Sequence, residues 1–368
     1  MKTIHYTLIV FLLIFFVSPF GGVWFYLHEL RWAYVLLLSC FLATVLTPVV
    51  ERIAFKFKIL DYPNERKIHK KPTPRLGGLA IFLAFVLTVI RNFHFSQEVT
   101  GIILGSSIIF LFGLLDDIFS ISAFLRLFGQ ILAALIVVKS GICISLIPYI
   151  PGKEIIQVVL TVFWIVGITN AINFLDGVDG LATGLTIISA ICFFIIFWPS
   201  SQFEHGYIII ALVGACLGFL SFNLKPARVF LGDGGATLLG FLISVFAVIG
   251  TLNASNTLIA ASIPVLILGV PIFDMIYITI SRIKNGAVKN VKEWIEYTGK
   301  DHFHHRLLKI GFSEQVSVFF LYSLSFCLGL GAIVLKNAGN VEAFLLLLQA
   351  LIIFGIIVVL MLTGREIS

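Results

Sequence analysis

Charge is what this 368-residue chain has least of: Asp, Glu, Lys and Arg make up only 12% of it. An ordinary soluble domain carries about 25%. The deficit excludes a large soluble domain, and the longest polar stretch, about residues 281–315, is too short to form one. Cysteine is also scarce. The five residues (Cys40, Cys143, Cys192, Cys216 and Cys327) fall in or beside apolar runs without paired spacing. A disulfide framework or cysteine zinc site is thereby excluded, and the thiols read as buried small hydrophobes.

What the chain has in excess is apolar length, with 59% hydrophobic residues and a mean hydropathy of +1.08. Crossing a bilayer core takes about 20 helical residues, and runs of that order recur from end to end. Twelve spans are expected, at about 6–27, 33–54, 76–92, 100–115, 124–140, 156–172, 181–198, 207–222, 235–252, 257–280, 316–335 and 341–362. The first is long for a signal-peptide core and has no A-x-A-like cleavage site, so it reads as a helix. Ser18-Pro19 and Gly21-Gly22 interrupt it. The fold class is therefore all-α, a polytopic integral membrane protein with 11–12 transmembrane helices.

Alternating these spans sorts the loops into two sets. One holds both termini and all but Arg31, Arg91, Lys139, Lys153 and Lys336 of the 25 Lys and Arg. The positive-inside rule places that set in the cytoplasm. Asp116, Asp117, Asp176, Asp179, Asp233, Asp274 and Asp301 fall on or near the same face, whereas the opposite face carries glutamates in connecting loops and no aspartate. A carboxylate at a helix centre costs about 3 kcal/mol on insertion scales, and such residues usually have a function.

Four short loops on that face concentrate polar groups: "FGLLDDIFS" (112–120), "NAINFLDGVDGLATG" (170–184), "FNLKPARVFLGDGGATLLG" (222–240) and "GKDHFHHRLLKIG" (299–311). Taken alone, each is ordinary turn chemistry or membrane flanking. As a set they are not. Adjacent carboxylates in a poorly hydrated site call for a cation, and widely spaced oxygen ligands suit Mg²⁺, which completes its shell with water and phosphate. A glycine-rich turn entering a helix presents N–H groups to an anion, and Arg and His add charge-assisted donors. Together these are phosphoryl-transfer equipment at a membrane edge, which implies a lipid reactant and a cytoplasmic-face active-site cleft.

From about Phe41 to Gly311 the chain resembles the polyprenyl-phosphate N-acetylhexosamine-1-phosphate transferases. "DYPNERKIHKKPTPRLGG" (61–78) is similar to that family's first cytoplasmic loop and "LLDDIFSISAFLRLFGQ" (114–130) to its aspartate-pair segment. "NAINFLDGVDGLATG" and "PARVFLGDGGATLLG" match its nucleotide and metal loops, and "DHFHHRLLKIG" the His-rich loop of the bacterial N-acetylglucosamine branch. The resemblance implies transfer of a sugar 1-phosphate from a UDP-N-acetylhexosamine to polyprenyl (undecaprenyl) phosphate, with UMP released. It implies Mg²⁺, or Mn²⁺ in its place, on Asp233 and Asn173. It also implies a catalytic pair in Asp116 and Asp117, Asp176 supporting the metal shell or shaping its loop, and Asp179 and Phe230 on the uracil. His304, His305 and Arg306 would hold the diphosphate. A phosphate monoester has its second pKa near about 6, so Asp116 is expected to position the acceptor more than to deprotonate it. Ser120 departs from the branch, many members of which carry a third aspartate there.

On this reading residues 1–32 are an added transmembrane helix and 33–368 the transferase domain, with no nucleic-acid partner and a homodimer as the candidate assembly. Smaller expectations concern Lys70, Lys71, Arg75 and Arg126 as phosphate contacts, Asn170 as a helix cap, and Asp274 paired with a cation such as Arg282 or lining the cleft. A short surface helix is expected at 288–299. Two other classes compete: a secondary transporter, which would place its carboxylates near the bilayer midplane, and a silent homologue, which would have lost Asp116, Asp117, Asn173 or Asp233.

Overall fold

The structure is a computed structural model and describes residues 12, 14–16, 18–62, 71–146, 151–198, 203–251, 256–297, 299 and 302–363. The chain is a multi-pass helical membrane protein. Among the described residues seven helices are long and apolar enough to cross a bilayer: α2 (Arg31–Phe57), α4 (Gln97–Phe119), α6 (Lys153–Leu175), α8 (Phe203–Asn223), α9 (Gly232–Ile249), α14 (Glu314–Leu335) and α15 (Asn340–Thr363). Shorter helices α3 (Gly77–Asn92), α5 (Ala123–Lys139) and α7 (Leu181–Phe197) lie on expected segments. Each expected segment from 33–54 onward falls on a helix.

The segment at 257–280 is not one straight run. It divides into α10 (Thr257–Ile267) and α11 (Gly269–Lys284), bent by 79°. Pro271 has no N–H to offer the carbonyl of Ile267 four residues back, and that carbonyl lies 3.5 Å from Ser189 Oγ. The first expected segment is broken too. Pro19 opens α1 (Pro19–Leu27) with Ser18 in extended backbone, a position that suits proline because its missing N–H is unneeded there. Residues 1–11, 13 and 17 lie outside the described residues. Of the cysteines, Cys192 and Cys216 are buried as expected and Cys327 is exposed.

Helix α9 is the centre of the bundle. Its residues from Gly234 to Ile249 are all buried, packed chiefly by α4, α6, α3 and α7. Without a hydrophobic drive between helices in lipid, close backbone approach through small residues holds such a core together. A Cβ on Gly78 of α3 would stand 2.3 Å from the Cα of Gly235, and one on Gly113 of α4 would stand 2.4 Å from the Cα of Gly234. A two-stranded antiparallel sheet, β1 (Leu60–Asp61) with β2 (Thr73–Pro74), follows α2. Its second strand leads into a zipper with the segment before α9: Phe230 N donates to Pro74 O, Gly77 N to Phe230 O and Gly78 N to Leu231 O, at 2.8–3.0 Å.

Near the expected surface helix, α12 (Val291–Glu296) is capped by Asn290, whose Oδ1 accepts from Glu293 N at 2.9 Å. It is tied to α11 by Trp294 Nε1 donating to Thr279 Oγ1 at 3.1 Å.

Backbone meets backbone at Gly78, so Gly78→Ala should cost about 3 kcal/mol or more, the upper range for overpacking. A Cβ added at Gly167 would meet nothing within 4 Å, so Gly167→Ala should leave stability level or slightly raised. Thermal unfolding of the two variants in detergent checks the contrast.

Candidate active site

The ends of α4, α6 and α8 and the start of α9 meet at one end of the bundle. Asp117, on the last turn of α4, turns its carboxylate across the N-terminus of α9: Oδ1 accepts from Asp233 N and Oδ2 from Gly234 N, each at 2.9 Å. The side chain is 2% exposed. An anion at a helix N-terminus meets unpaired N–H groups and the positive end of the helix dipole. Arg75 completes this corner, its Nη2 lying 2.9 Å from Asp233 Oδ2 and 3.4 Å from Asp117 Oδ1, and its Nη1 3.9 Å from Asp61 Oδ1. Burial works against the guanidinium's charge, and Asp117, Asp233 and Asp61 outweigh it, raising its pKa. Asp116 is buried on its own account and accepts from Arg126 Nη1 at 2.8 Å. Arg126, expected as a phosphate contact, is therefore an ion-pair partner of the aspartate pair.

Asn173, Asp176, Asp179, Phe230 and Asp233 line one cavity of about 350 Å³, together with Arg75 and Asp61. The Asn173 carboxamide has no hydrogen-bond partner among the described residues. Burial and the negative charges of Asp233 and Asp117 push the Asp176 carboxyl well above the usual carboxylate range. The two loops that carry these residues are laced together. Asn223 Oδ1 accepts from Gly180 N and Thr183 Oγ1 at 3.2 Å, and its Nδ2 donates to Val229 O at 3.1 Å. Asp179 Oδ2 accepts from Ala227 N at 3.0 Å, and Tyr322 of α14 donates to Gly180 O at 2.6 Å. Asn170, expected as a cap, lies within α6 and exchanges amide hydrogen bonds with Gln130 of α5, at 2.7 and 3.2 Å.

The His-rich segment forms α13 (Phe303–Lys309). Asp274 anchors it from α11, accepting from Phe303 N at 2.6 Å and meeting His302 Nδ1 at 3.1 Å. Its carboxylate thus serves the first turn of α13, while the Arg282 guanidinium lies 4.4 Å from the centre of the Tyr297 ring. His304 is 1% exposed and its two ring nitrogens have no partner among the described residues. It packs against Gly177, where a Cβ would stand 2.6 Å from its Nε2. Burial, then the neighbouring His305 and His302, hold its pKa well below the ordinary histidine value, so it is neutral near pH 7. The His305 ring is 4.2 Å from it. Arg306 turns away from the cavity, over the Tyr277 ring at 4.7 Å and onto Ser281 Oγ at 3.1 Å. Asp301 and Lys70 lie outside the described residues.

The model of glycosyl transferase family 4 matches residues 99–251. A probable undecaprenyl-phosphate N-acetylglucosaminyl 1-phosphate transferase of Bacillus subtilis is 38% identical over 324 residues, covering 86% of this chain and 88% of the relative. The chain belongs to glycosyl transferase family 4. A decaprenyl-phosphate N-acetylglucosaminephosphotransferase of Mycobacterium leprae is 31% identical, covering 87% of each chain. A phospho-N-acetylmuramoyl-pentapeptide-transferase of Bacillus licheniformis is 33% identical over 59% of this chain and 73% of its own. The stretch matched by the family model runs from α4 to the end of α9 and contains every cavity aspartate except Asp61. Asp61 was not among the residues expected in the site. Its signal was its place at the head of the "DYPN" stretch, with Arg75 fourteen positions on.

A histidine whose pKa is lowered on folding takes up its proton more readily when unfolded. Stability is then complete above about pH 6.5 and falls as the pH drops toward the folded value. His304→Gln should therefore lose less melting temperature than the parent between pH 7.5 and 5.5. Thermal unfolding in detergent at the two pH values measures it, and an equal or larger loss in the variant would contradict a neutral, buried His304.

Proposed function

We propose that this chain transfers N-acetylglucosamine 1-phosphate from its UDP-linked donor to a polyprenyl phosphate, most simply undecaprenyl phosphate, with release of UMP. The reaction would take place at the cytoplasmic face of the plasma membrane, as the first lipid-linked step of a surface glycan. The observation that carries the reading is the gathering of Asn173, Asp176, Asp179 and Asp233, from two distant loops, around one cavity backed by Asp117 and Arg75. The names of the two N-acetylglucosamine-phosphate transferases, which match most of the chain, support the substrate class.

The donor set fits a hard divalent cation such as Mg²⁺. It is oxygen-only, the Asn173 carboxamide is unengaged among the described residues, and burial together with the neighbouring Asp233 and Asp117 charges raises the Asp176 pKa. Mg²⁺ takes one or two carboxylates and fills the rest of its shell with water and phosphate. Asn173 and Asp233 would hold it; when bound, it neutralises charge on the phosphoryl oxygens in transfer.

The chain's own groups do the rest. Asp117 fixes Asp233 by holding its backbone N–H. Asp116, held by Arg126, orients the acceptor phosphate at the end of α4. The Phe230 ring offers a stacking face for the uracil, and Asp179 an acceptor for its N–H while also tying its loop to Ala227. His304 packs behind Gly177 with the His305 ring beside it, and the two would serve the diphosphate. Arg306 borders a second cavity of about 690 Å³ between α10–α11 and α14–α15, lined by Phe273, Ile276, Leu347, Leu351 and Phe354, with Tyr277 and Ser281 also in its wall. Its apolar lining suits a polyprenyl chain.

Detergent-purified protein given Mg²⁺, undecaprenyl phosphate and UDP-N-acetylglucosamine should release UMP only when the lipid is present. Chelation should stop the release and added Mg²⁺ restore it. Asp233→Asn should lower the rate by at least about a hundredfold, the scale for removing a preorganised electrostatic group. Release with a different UDP-N-acetylhexosamine would keep the chemistry and change the sugar. Folded protein silent with every donor would sink the reading.

A further inference from the structure

We propose that Arg75 is a tethered counter-cation: it occupies the carboxylates of the metal site until a divalent cation displaces it, and then serves the donor's phosphates from within the same cavity. The inference rests on the reading of Asp233 as a metal ligand.

Three observations carry it. First, the guanidinium sits where a cation is wanted, bridging Asp233 Oδ2 at 2.9 Å and Asp117 Oδ1 at 3.4 Å, with Asp61 at 3.9 Å. Asp233 is the more open of the two bridged carboxylates, its side chain 26% exposed against 2% for Asp117. A metal arriving from the cavity meets Asp233 with Arg75 already on it. Second, Arg75 is the only cation among the described residues that line the cavity, facing Asp61, Asp176, Asp179 and Asp233. One positive charge leaves that wall strongly acidic. A divalent ion would bring it toward neutrality, and a donor diphosphate would then need the arginine's charge as well.

Third, the backbone of Arg75 is pinned while its side chain is partly open to solvent on a long, flexible stem. The neighbouring residues Pro74, Gly77 and Gly78 are zipped to the segment before α9. The Arg75 carbonyl lies under Gly232, where a Cβ would stand 2.2 Å from it and where φ is +76°. The side chain itself is one-third exposed. A planar fork on a flexible stem can release two carboxylates and take up two phosphate oxygens with the same geometry.

The consequence is coupling. With no donor present, the metal must compete with Arg75, which lowers its apparent affinity by the fraction of time the site is taken. A donor that draws the guanidinium off Asp233 favours the metal, and the metal favours the donor by the same factor.

Mn²⁺ alone, followed by electron paramagnetic resonance on the full chain in detergent without donor, tests this. Arg75→Gln should bind Mn²⁺ about tenfold more tightly than the parent, within the usual range of coupling between sites. Its KM for the UDP-sugar at saturating metal should rise by a similar factor. An arginine that merely braced Asp233 would weaken both when removed, so opposite signs mark displacement. Arg75→Lys, which keeps the charge and loses the fork, should bind Mn²⁺ about threefold more tightly and serves if the glutamine variant does not fold. Unchanged or weaker Mn²⁺ binding in a folded variant overturns the inference alone. Mn²⁺ binding that Asp233→Asn does not weaken overturns the metal assignment beneath it.

Discussion

The carboxylate of Asp117 closes the N-terminus of α9 from a neighbouring helix, and the arrangement of the site follows from that contact. Helix α9 is buried along nearly its whole length, so its first N–H groups cannot be left to water. Asp117 takes two of them, in charge-assisted bonds worth about 1.5–3 kcal/mol each. For its carboxylate to reach, α4 and α9 must touch at backbone distance, which Gly113 and Gly234 permit. With its backbone so held, Asp233 directs its side chain into the cavity. One interaction therefore sets helix packing, turn geometry and the position of the candidate metal ligand.

The same economy recurs around the cavity. Asn223 and Asp179 join the loop after α6 to the loop before α9, so residues from opposite ends of the sequence motifs move as one wall. Tyr322 fixes that wall to α14, and Asp274 fixes the His-rich helix to α11. Most of the polar groups near the site are engaged in this scaffolding. One exception stands out against it: His304, buried with both ring nitrogens unsatisfied among the described residues. Native interiors seldom leave such groups unmet, and a ligand reaching behind Gly177 would meet them.

How much of this could be read from the sequence depended on whether the signal was local. Long apolar runs placed the helices, because lipid forces every backbone group to be satisfied within its own segment. The aspartate-rich loops stood out because a carboxylate is conspicuous in so apolar a chain. Partners distant in sequence were not legible: nothing near Asn170 pointed to Gln130, forty residues away on α5, and nothing near Asp274 pointed to the start of α13. Asp116 found Arg126 across a turn that only the fold defines. The bend at Leu268 did have a signal, Pro264 and Pro271 inside one apolar run, but hydropathy alone reads the run as continuous.

A manganese anomalous-difference map from crystals of the full chain, grown with Mn²⁺ and a UDP-sugar, tests the central claim most directly. A single peak within about 2.0–2.3 Å of oxygens of Asp233 and Asn173, with Asp117 still on the α9 N-terminus, is the predicted result. A peak held instead by His304 and His305, or no peak at saturating Mn²⁺ with the sugar nucleotide in place, would contradict it.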